Sequence, residues 1–226
     1  MSMKRALVIG ASRGLGLGLV EQLKDAGWEV TATVRDLDKV PTALTALEVK
    51  VEGLEMGSLA SMDALQAQLQ GQLFDVVFIN AGVSGPRGYV TDGASDADIG
   101  ELFVINAVAP IRLAQRLAAN VRDEGVIAFM SSVLGSVTMP EGSEMALYKA
   151  SKAALNSMTN TFVVALARPQ LTVLSLHPGW VKTDMGGDGA SLDVTTSTRG
   201  LVQVLSASLG KGGHHFLDYQ GQTIAW

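Results

Sequence analysis

At 226 residues the chain is long enough to bury one large core, and 47% hydrophobic against 17% charged residues excludes a disordered chain. The absence of cysteine excludes disulfides, a thiol nucleophile and cysteine-ligated metal, and it fits a reducing, cytoplasmic setting. A net charge of −5 without a basic cluster argues against a nucleic-acid surface. Met1 to Arg5 runs straight into an apolar strand, which leaves no room for a signal peptide, and no apolar run reads as long enough to span a membrane.

Ala6-Leu7-Val8-Ile9 is a fully apolar run, the pattern of a strand buried on both faces. Gly10, Gly14 and Gly16 follow, and Leu15, Leu19 and Leu23 then recur at helical spacing. Residues 28–34 alternate as a second strand, ended by Arg35-Asp36. A short helix is expected at 38–46, with Pro41 near its start, and a weak third strand at 47–54. Ser58 caps a helix running to about residue 70. Residues 73–79 form a fourth, buried strand, followed by Asn80-Ala81-Gly82. A loop (83–95), a long helix (96–121), a fifth strand (125–130) and Ser131-Ser132 come next. A helix over 145–167 and a sixth strand at 171–176 lead to His177-Pro178-Gly179. A loose stretch at 186–191, a helix at 194–209 and a short strand at 215–217 close the chain. Strands alternating with helices predict one dinucleotide-binding domain over residues 1–226. Its fold is α/β: a doubly wound, three-layer αβα (Rossmann) sheet of about seven parallel strands with helices on both faces. In such sheets ligands sit beyond the carboxyl ends of the strands, where Gly10 to Gly16, Arg35, Asn80 to Gly82, Ser131-Ser132 and Pro178-Gly179 all fall.

A strand, a glycine turn and a helix in that order form a seat for a dinucleotide. Missing Cβ atoms let the backbone approach a pyrophosphate, and free N–H groups at the helix start carry partial positive charge. Taken alone, the Gly-x3-Gly-x-Gly spacing also fits a plain tight turn under a closely packed helix. Tyr148 and Lys152 lie four apart in a predicted helix and share a face. An ammonium beside a phenol favours the phenolate and lowers its pKa, as a general acid working on a carbonyl or alcohol oxygen near neutral pH requires. Lys149 points about 100° away. A serine ending the fifth strand can bond the same oxygen; Ser132 is favoured over Ser131, with turn or cap duty as the alternative. In the long helix Ile99, Leu102, Phe103, Asn106, Pro110, Leu113 and Leu117 fall on one stripe, so the Asn106 amide must find partners. Pro110 has no N–H for the Asn106 carbonyl, which predicts a kink and a carbonyl able to hold a relay water near Lys152. No metal site is expected, since His177 ends a strand and the adjacent His214 and His215 project to different sides. Met139, Met145, Trp180 and Met185 sit in loops at the presumed cleft, as pocket walls or as packing.

Together these residues resemble the short-chain dehydrogenase/reductase family over nearly the whole chain. Within it, residues 177–187 and 217–226 resemble the C-factor and sniffer-like carbonyl reductases. Gly10, Ser12, Arg13, Gly14, Leu15 and Gly16 match the family's cofactor turn, with Ile9 where threonine is usual. Asn80, Ala81 and Gly82 match its Asn-Ala-Gly motif, with Ile79 where a second asparagine is common. Asn106, Ser132, Tyr148 and Lys152 match its catalytic tetrad in order, and Pro178, Gly179, Val181 and Thr183 its nicotinamide-side loop. Where the family usually has aspartate for the adenine amino group, Leu54-Glu55-Met56 offers Glu55 and Met56. The resemblance implies hydride transfer between a nicotinamide and a small-molecule carbonyl or secondary alcohol. Tyr148 would protonate the oxygen and Ser132 would position it. Lys152 would hold the ribose hydroxyls and depress the Tyr148 pKa, and Asn106 would seat the relay water. A cofactor-binding sensor that keeps the fold is the alternative, and the intact tetrad argues against it.

NADH-binding sheets usually place an acid after the second strand for the ribose hydroxyls; Val34 and Arg35 stand there instead. A guanidinium clamps a 2′-phosphate bidentately, and Arg13 adds a second charge, so NADP(H) is expected over NAD(H), with Asp36 as the opposing feature. The helix over 145–167 is apolar nearly all round: Leu147, Ala150, Ala154, Met158 and Val164 cannot face one sheet together with Leu155, Phe162, Val163 and Leu166. A helix apolar on two sides needs cover on both, which predicts a homodimer or homotetramer unless the loops at 83–95 or 133–144 provide it. The helix over 96–121, with Arg112, Gln115, Arg116 and Asn120, would form the rim.

Overall fold

A computed structural model describes residues 3–85, 93–139 and 144–226. Seven strands, β1 (Arg5–Ile9), β2 (Glu29–Val34), β3 (Lys50–Gly53), β4 (Phe74–Ile79), β5 (Val121–Met130), β6 (Thr172–His177) and β7 (Gly213–Asp218), form one sheet. Its order is β3-β2-β1-β4-β5-β6-β7, and every pairing is parallel. The expected doubly wound, three-layer fold is therefore present. The strand order reverses between β1 and β4, and a crevice opens where a sheet turns this way.

Alternate side chains feed two cores. On one face Val8, Ala32, Val76 and Leu174 meet Leu19 and Leu23 of α1 (Gly14–Asp25), Leu44 of α2 (Thr42–Thr45) and Leu201 and Leu205 of α7 (Val194–Ser208). On the other, Leu7, Ile9, Val77 and Phe129 meet Met62 and Leu65 of α3 (Leu59–Gln68), Leu113 and Leu117 of α5 (Ala109–Leu117), and Leu155 and Phe162 of α6 (Ala146–Leu166). The Phe129 and Phe162 rings meet edge to face, 6.3 Å apart.

Several boundaries differ from the sequence reading. The helix expected at 38–46 is a 3-10 turn (Leu37–Lys39) and the single turn α2, separated by extended Val40 and Pro41. β5 starts at Val121 rather than 125, since its polar opening Arg122-Asp123-Glu124 hides a strand whose register with β4 shifts between Phe74 and Val76. Arg168 secures that end by donating to the Ala118 and Val121 carbonyls, both at 2.7 Å. β7 has six residues, from Gly213, rather than three.

The long helix is not continuous α-helix. It runs as α4 (Asp96–Phe103), a π-helical turn (Val104–Val108), α5 and a 3-10 turn (Ala118–Asn120). The expected kink takes the form of the π turn: Ala109 N–H reaches back five residues to the Val104 carbonyl, one position before Pro110, which has no N–H to give. The run Asp96–Asn120 has 25 residues and a mean hydropathy of 1.3 over its most apolar stretch. That is enough to cross a bilayer, so the expectation that no run reaches this length is corrected. The acids that open it disguise its length. Its packing is that of a core helix: 56% of the stretch is buried, with Ala107, Leu113 and Leu117 in the core.

At the sheet's far edge two histidines are held neutral. Burial pushes His177 down to about 4, against the pull of Asp218, and pushes His214 down to about 4, helped by neighbouring His215. His214 Nε2 lies 3.1 Å from Ser175 Oγ, and its ring is 4.5 Å from that of Trp226. His215 Nε2 is 2.8 Å from the Gly212 carbonyl. A folded pKa below the ordinary 6.5 means that the unfolded chain binds more protons between pH 6.5 and 4. Stability from these groups is present above pH 6.5 and lost as pH falls toward 4. Thermal melts across this range should show the loss, and His214→Phe, which keeps a ring against Trp226, should reduce it by a few degrees in Tm. Parallel curves for variant and wild type would exclude His214 as a source.

Candidate active site

The glycine turn is built by close approach. Gly10 has φ +82° and Gly14 φ +54°, conformations that disfavour side chains. A Cβ on Gly16 would collide with the Gly10 carbonyl oxygen and stand 2.7 Å from Asn80 Nδ2. Asn80 Nδ2 itself donates to the Gly10 carbonyl at 2.8 Å, and its main-chain N–H to the Ile9 carbonyl at 3.1 Å. Ala81 lies against Gly10. α1 therefore starts directly on the end of β1, buttressed from β4. Arg13 gives that start no side-chain cap, and its first turn carries no acid. Its leading N–H groups suit an anion, so a dinucleotide pyrophosphate fits this cradle. Ser12 is exposed at its lip, and Leu15 packs partly into the core beneath.

Both arginines have carboxylate partners. Arg35 Nε lies 3.1 Å from Glu55 Oε2, joining the ends of β2 and β3. Glu55 also accepts from Gly57 N–H at 3.3 Å. Arg13 pairs with Asp184 in the loop after β6. Met56 is buried in the core under β3, so its side chain is not free for an adenine contact.

On the other side of the crevice, Asn106 has no exposed surface. Its Oδ1 accepts from Val83 N–H at 2.8 Å, and Nδ2 donates to the Val83 carbonyl at 2.8 Å and to Ser151 Oγ at 3.1 Å. Ser151 Oγ donates onward to the Tyr148 carbonyl at 2.7 Å. Lys152, 3% exposed, donates from Nζ to the Met130 carbonyl at 2.8 Å, with its Nζ 5.7 Å from the centre of the Tyr148 ring. Gly82 keeps this corner open, since a Cβ there would stand 3.2 Å from Asn106 Oδ1 and 3.5 Å from Lys152 Nζ. Gly135 does the same behind it, where a Cβ would be 3.0 Å from that of Lys152.

The expectation that Lys152 depresses the Tyr148 pKa is corrected. Burial pushes the phenol up to about 12 and the ammonium down to about 8. The ammonium is directed at the Met130 carbonyl and over the ring, so desolvation outweighs its attraction for a phenolate. At neutral pH the phenol keeps its proton.

The two serines separate by their partners. Ser131 Oγ donates to Asn156 Oδ1 at 2.8 Å and is committed to the core. Ser132 Oγ accepts from Leu134 N–H at 3.2 Å, which leaves its own proton to give. Beyond β6, the Pro178 carbonyl accepts from Ser197 Oγ at 2.6 Å, and Gly179 has φ +82°. Val181 is buried and bridges to Leu192. Thr183 Oγ1 accepts from Gly186 N–H at 3.1 Å, and its methyl faces Gly14. Met139, Trp180 and Met185 are exposed, and Met145 enters α6 left-handed, at φ 61°.

Sequence reasoning missed Ser151, Asn156 and Asp184. Ser151 shares a helix face with Tyr148 at i+3, a spacing that could have revealed it. Asp184 carries no local signal, because its partner lies 171 residues away.

The short chain dehydrogenase family matches residues 4–191. The C-signal of Myxococcus xanthus is 34% identical over 154 residues, covering 67% of this chain and 92% of that protein. A short-chain dehydrogenase/reductase structure from Burkholderia multivorans with bound NADP covers all of both chains at 38% identity, with a TM-score of 0.94. The carbonyl reductase Sniffer of D. melanogaster covers 100% of both at 31% identity, with a TM-score of 0.87. With that match running from β1 to the loop after β6, the chain belongs to the short-chain dehydrogenase family of oxidoreductases, and within it is similar to C-signal and the carbonyl reductases.

Proposed function

We propose that this chain is an NADP(H)-preferring carbonyl reductase acting on a small-molecule carbonyl or secondary alcohol, in a reducing cytoplasm. The observation that carries the reading is the corner where Lys152 Nζ, held by the Met130 carbonyl, lies beside the Tyr148 ring, Gly82 and the Asn106 amide. Gly10, Ser12, Arg13, Gly14, Leu15 and Gly16 would hold the pyrophosphate, Asn80 to Gly82 and Lys152 the ribose, and Pro178, Gly179, Val181 and Thr183 the nicotinamide side. The nicotinamide, when bound, supplies or accepts the hydride. Ser132 donates a hydrogen bond to the substrate oxygen through its free O–H and fixes its position. Tyr148, protonated at neutral pH, gives that oxygen its proton. Lys152 titrates at about 8, close enough to neutrality to pass a proton back to Tyr148. The Asn106 side chain is fully engaged by Val83 and Ser151, so a relay through Asn106 uses its main-chain carbonyl, which Pro110 cannot cap.

Turnover of NADPH with a panel of aldehydes and ketones tests the reading. Tyr148→Phe should retain NADPH binding while kcat falls more than tenfold, and Ser132→Ala should cost more than Ser131→Ala. Activity of Tyr148→Phe above about a tenth of wild type removes the phenol from the acid role. The similarity to a protein named C-signal favours a second reading, a cofactor-binding signalling protein. A chain that binds NADPH and turns over nothing in the panel would support it.

The NADP(H) preference rests on Arg35 at the end of β2, with Arg13 as a second cation if it leaves Asp184. Asp36 caps the next turn by accepting from Asp38 N–H at 3.0 Å and pairs with Lys39, so each of its carboxylate oxygens already has a partner. Arg35→Ala should raise KM for NADPH about tenfold or more and leave that for NADH nearly unchanged. A wild-type preference for NADH would overturn the assignment.

The homodimer or homotetramer rests on α6. The expectation that Ala154 and Met158 cannot face the sheet together with Leu155, Phe162, Val163 and Leu166 is corrected, since all six pack on the same core, and the outward apolar face of α6 is left to Val164, 76% exposed, and Ala150. Of the loops that offer alternative cover, 86–92 and 140–143 lie outside the described residues. Sedimentation at micromolar concentration should show at least twice the 23.6 kDa chain mass. A monomer overturns the pairing.

A further inference from the structure

We infer that Thr33, on the strand beside β1, is a positioning residue that sets the entry of the glycine turn for the dinucleotide. The inference rests on the cofactor reading above. β1 and β2 run parallel with Leu7 opposite Thr31 and Val8 opposite Ala32, so Ile9 and Thr33 occupy facing positions on one side of the sheet. Ile9 stands where the family usually has threonine, and its side chain disappears into the core. The hydroxyl on this patch comes from the neighbouring strand instead.

Thr33 is 1% exposed. Its Oγ1 accepts from Gly10 N–H at 3.0 Å, and its carbonyl accepts from Ala11 N–H at 2.8 Å. Two successive amides of the turn therefore end on one residue. The first needs a side chain because Gly10, at φ +82°, leaves the extended conformation of β1. Gly10 is thus held at both ends, its N–H by Thr33 and its carbonyl by Asn80 Nδ2. That carbonyl is the atom against which Gly16 packs. A shift of Gly10 passes directly to the first turn of α1, whose N–H groups face the pyrophosphate seat.

A β-branched residue suits a strand whatever its hydroxyl does, so shape alone is the competing explanation. Thr33→Val keeps the shape and removes the acceptor. NADPH and NADH affinities of wild type, Thr33→Val and Thr33→Ser, by titration of cofactor fluorescence, separate the two. Thr33→Val should weaken both cofactors about tenfold with kcat at saturating cofactor unchanged, and Thr33→Ser should stay within about threefold of wild type. Thr33→Val within threefold of wild type, or Thr33→Ser as weak as Thr33→Val, overturns the inference. Should Thr33→Val not fold, Thr33→Ser against Thr33→Ala carries the same contrast, and equal binding by those two overturns it. A wild type that binds neither nucleotide overturns the cofactor reading itself, an outcome distinct from a wild type that binds and a valine variant that binds equally well.

Discussion

The contact on which this molecule depends is between the Gly10 carbonyl and the bare Cα of Gly16. It brings the first turn of α1 onto the end of β1 with no side chain between them. Asn80, arriving from β4, completes it by donating to the same carbonyl. Because the sheet reverses its order between β1 and β4, the contact sits at the one point where a crevice opens between strands. Fold and site are thus one constraint: a packing that stacks helix on strand also leaves helix N–H groups uncovered and pointing outward.

The second half of the site depends on a flaw in a helix. A regular α-helix from Asp96 to Asn120 would give the Asn106 carbonyl an N–H from residue 110. Proline there denies it, and the chain answers with one π turn. The same turn holds Asn106 where both ends of its amide engage Val83, the residue after the Asn-Ala-Gly corner, and where Nδ2 reaches Ser151. Ser151 carries the connection to the carbonyl of Tyr148. A buried amide thereby ties together the β4 loop, the π turn and the start of α6, three segments remote in sequence, and every polar atom of its side chain is satisfied.

What the sequence made legible was whatever depends on local pattern. Buried strands appear as apolar runs, the glycine turn as a spacing, and Tyr148 with Lys152 as one face of a helix. The proline at 110 even forecast the broken helix, because its missing N–H is a property of one residue. What stayed hidden needs a partner far along the chain. The polar start of β5 reads as loop, yet it is strand because β4 and Arg168 hold it. Met56, expected from the resemblance to contact the cofactor, has its side chain in the core instead. The direction of the Tyr148 shift was misread for a related reason. Spacing says that an ammonium is near, but not that it is aimed at the Met130 carbonyl, nor how much water burial removes.

That burial gives the site its chemical asymmetry. Desolvation always disfavours the charged form, so one apolar environment moves an acid and a base in opposite directions. Here it lifts the phenol to about 12 and lowers the ammonium to about 8. The two groups start nearly level, at 10.0 and 10.5, and burial drives them apart in the inverse order: the phenol becomes the stronger holder of a proton, the amine the weaker. A tyrosine in that state keeps its proton at neutral pH and is a weaker acid than a free phenol, so on the proposed reading it would yield that proton only to an oxygen that is gaining negative charge, leaving a phenolate beside a cation. On the proposed reading, the ammonium that fails to depress the resting phenol would still stabilise a phenolate formed during reaction. Attraction that contributes only when charge develops is the kind that accelerates a chemical step rather than stabilising the ground state.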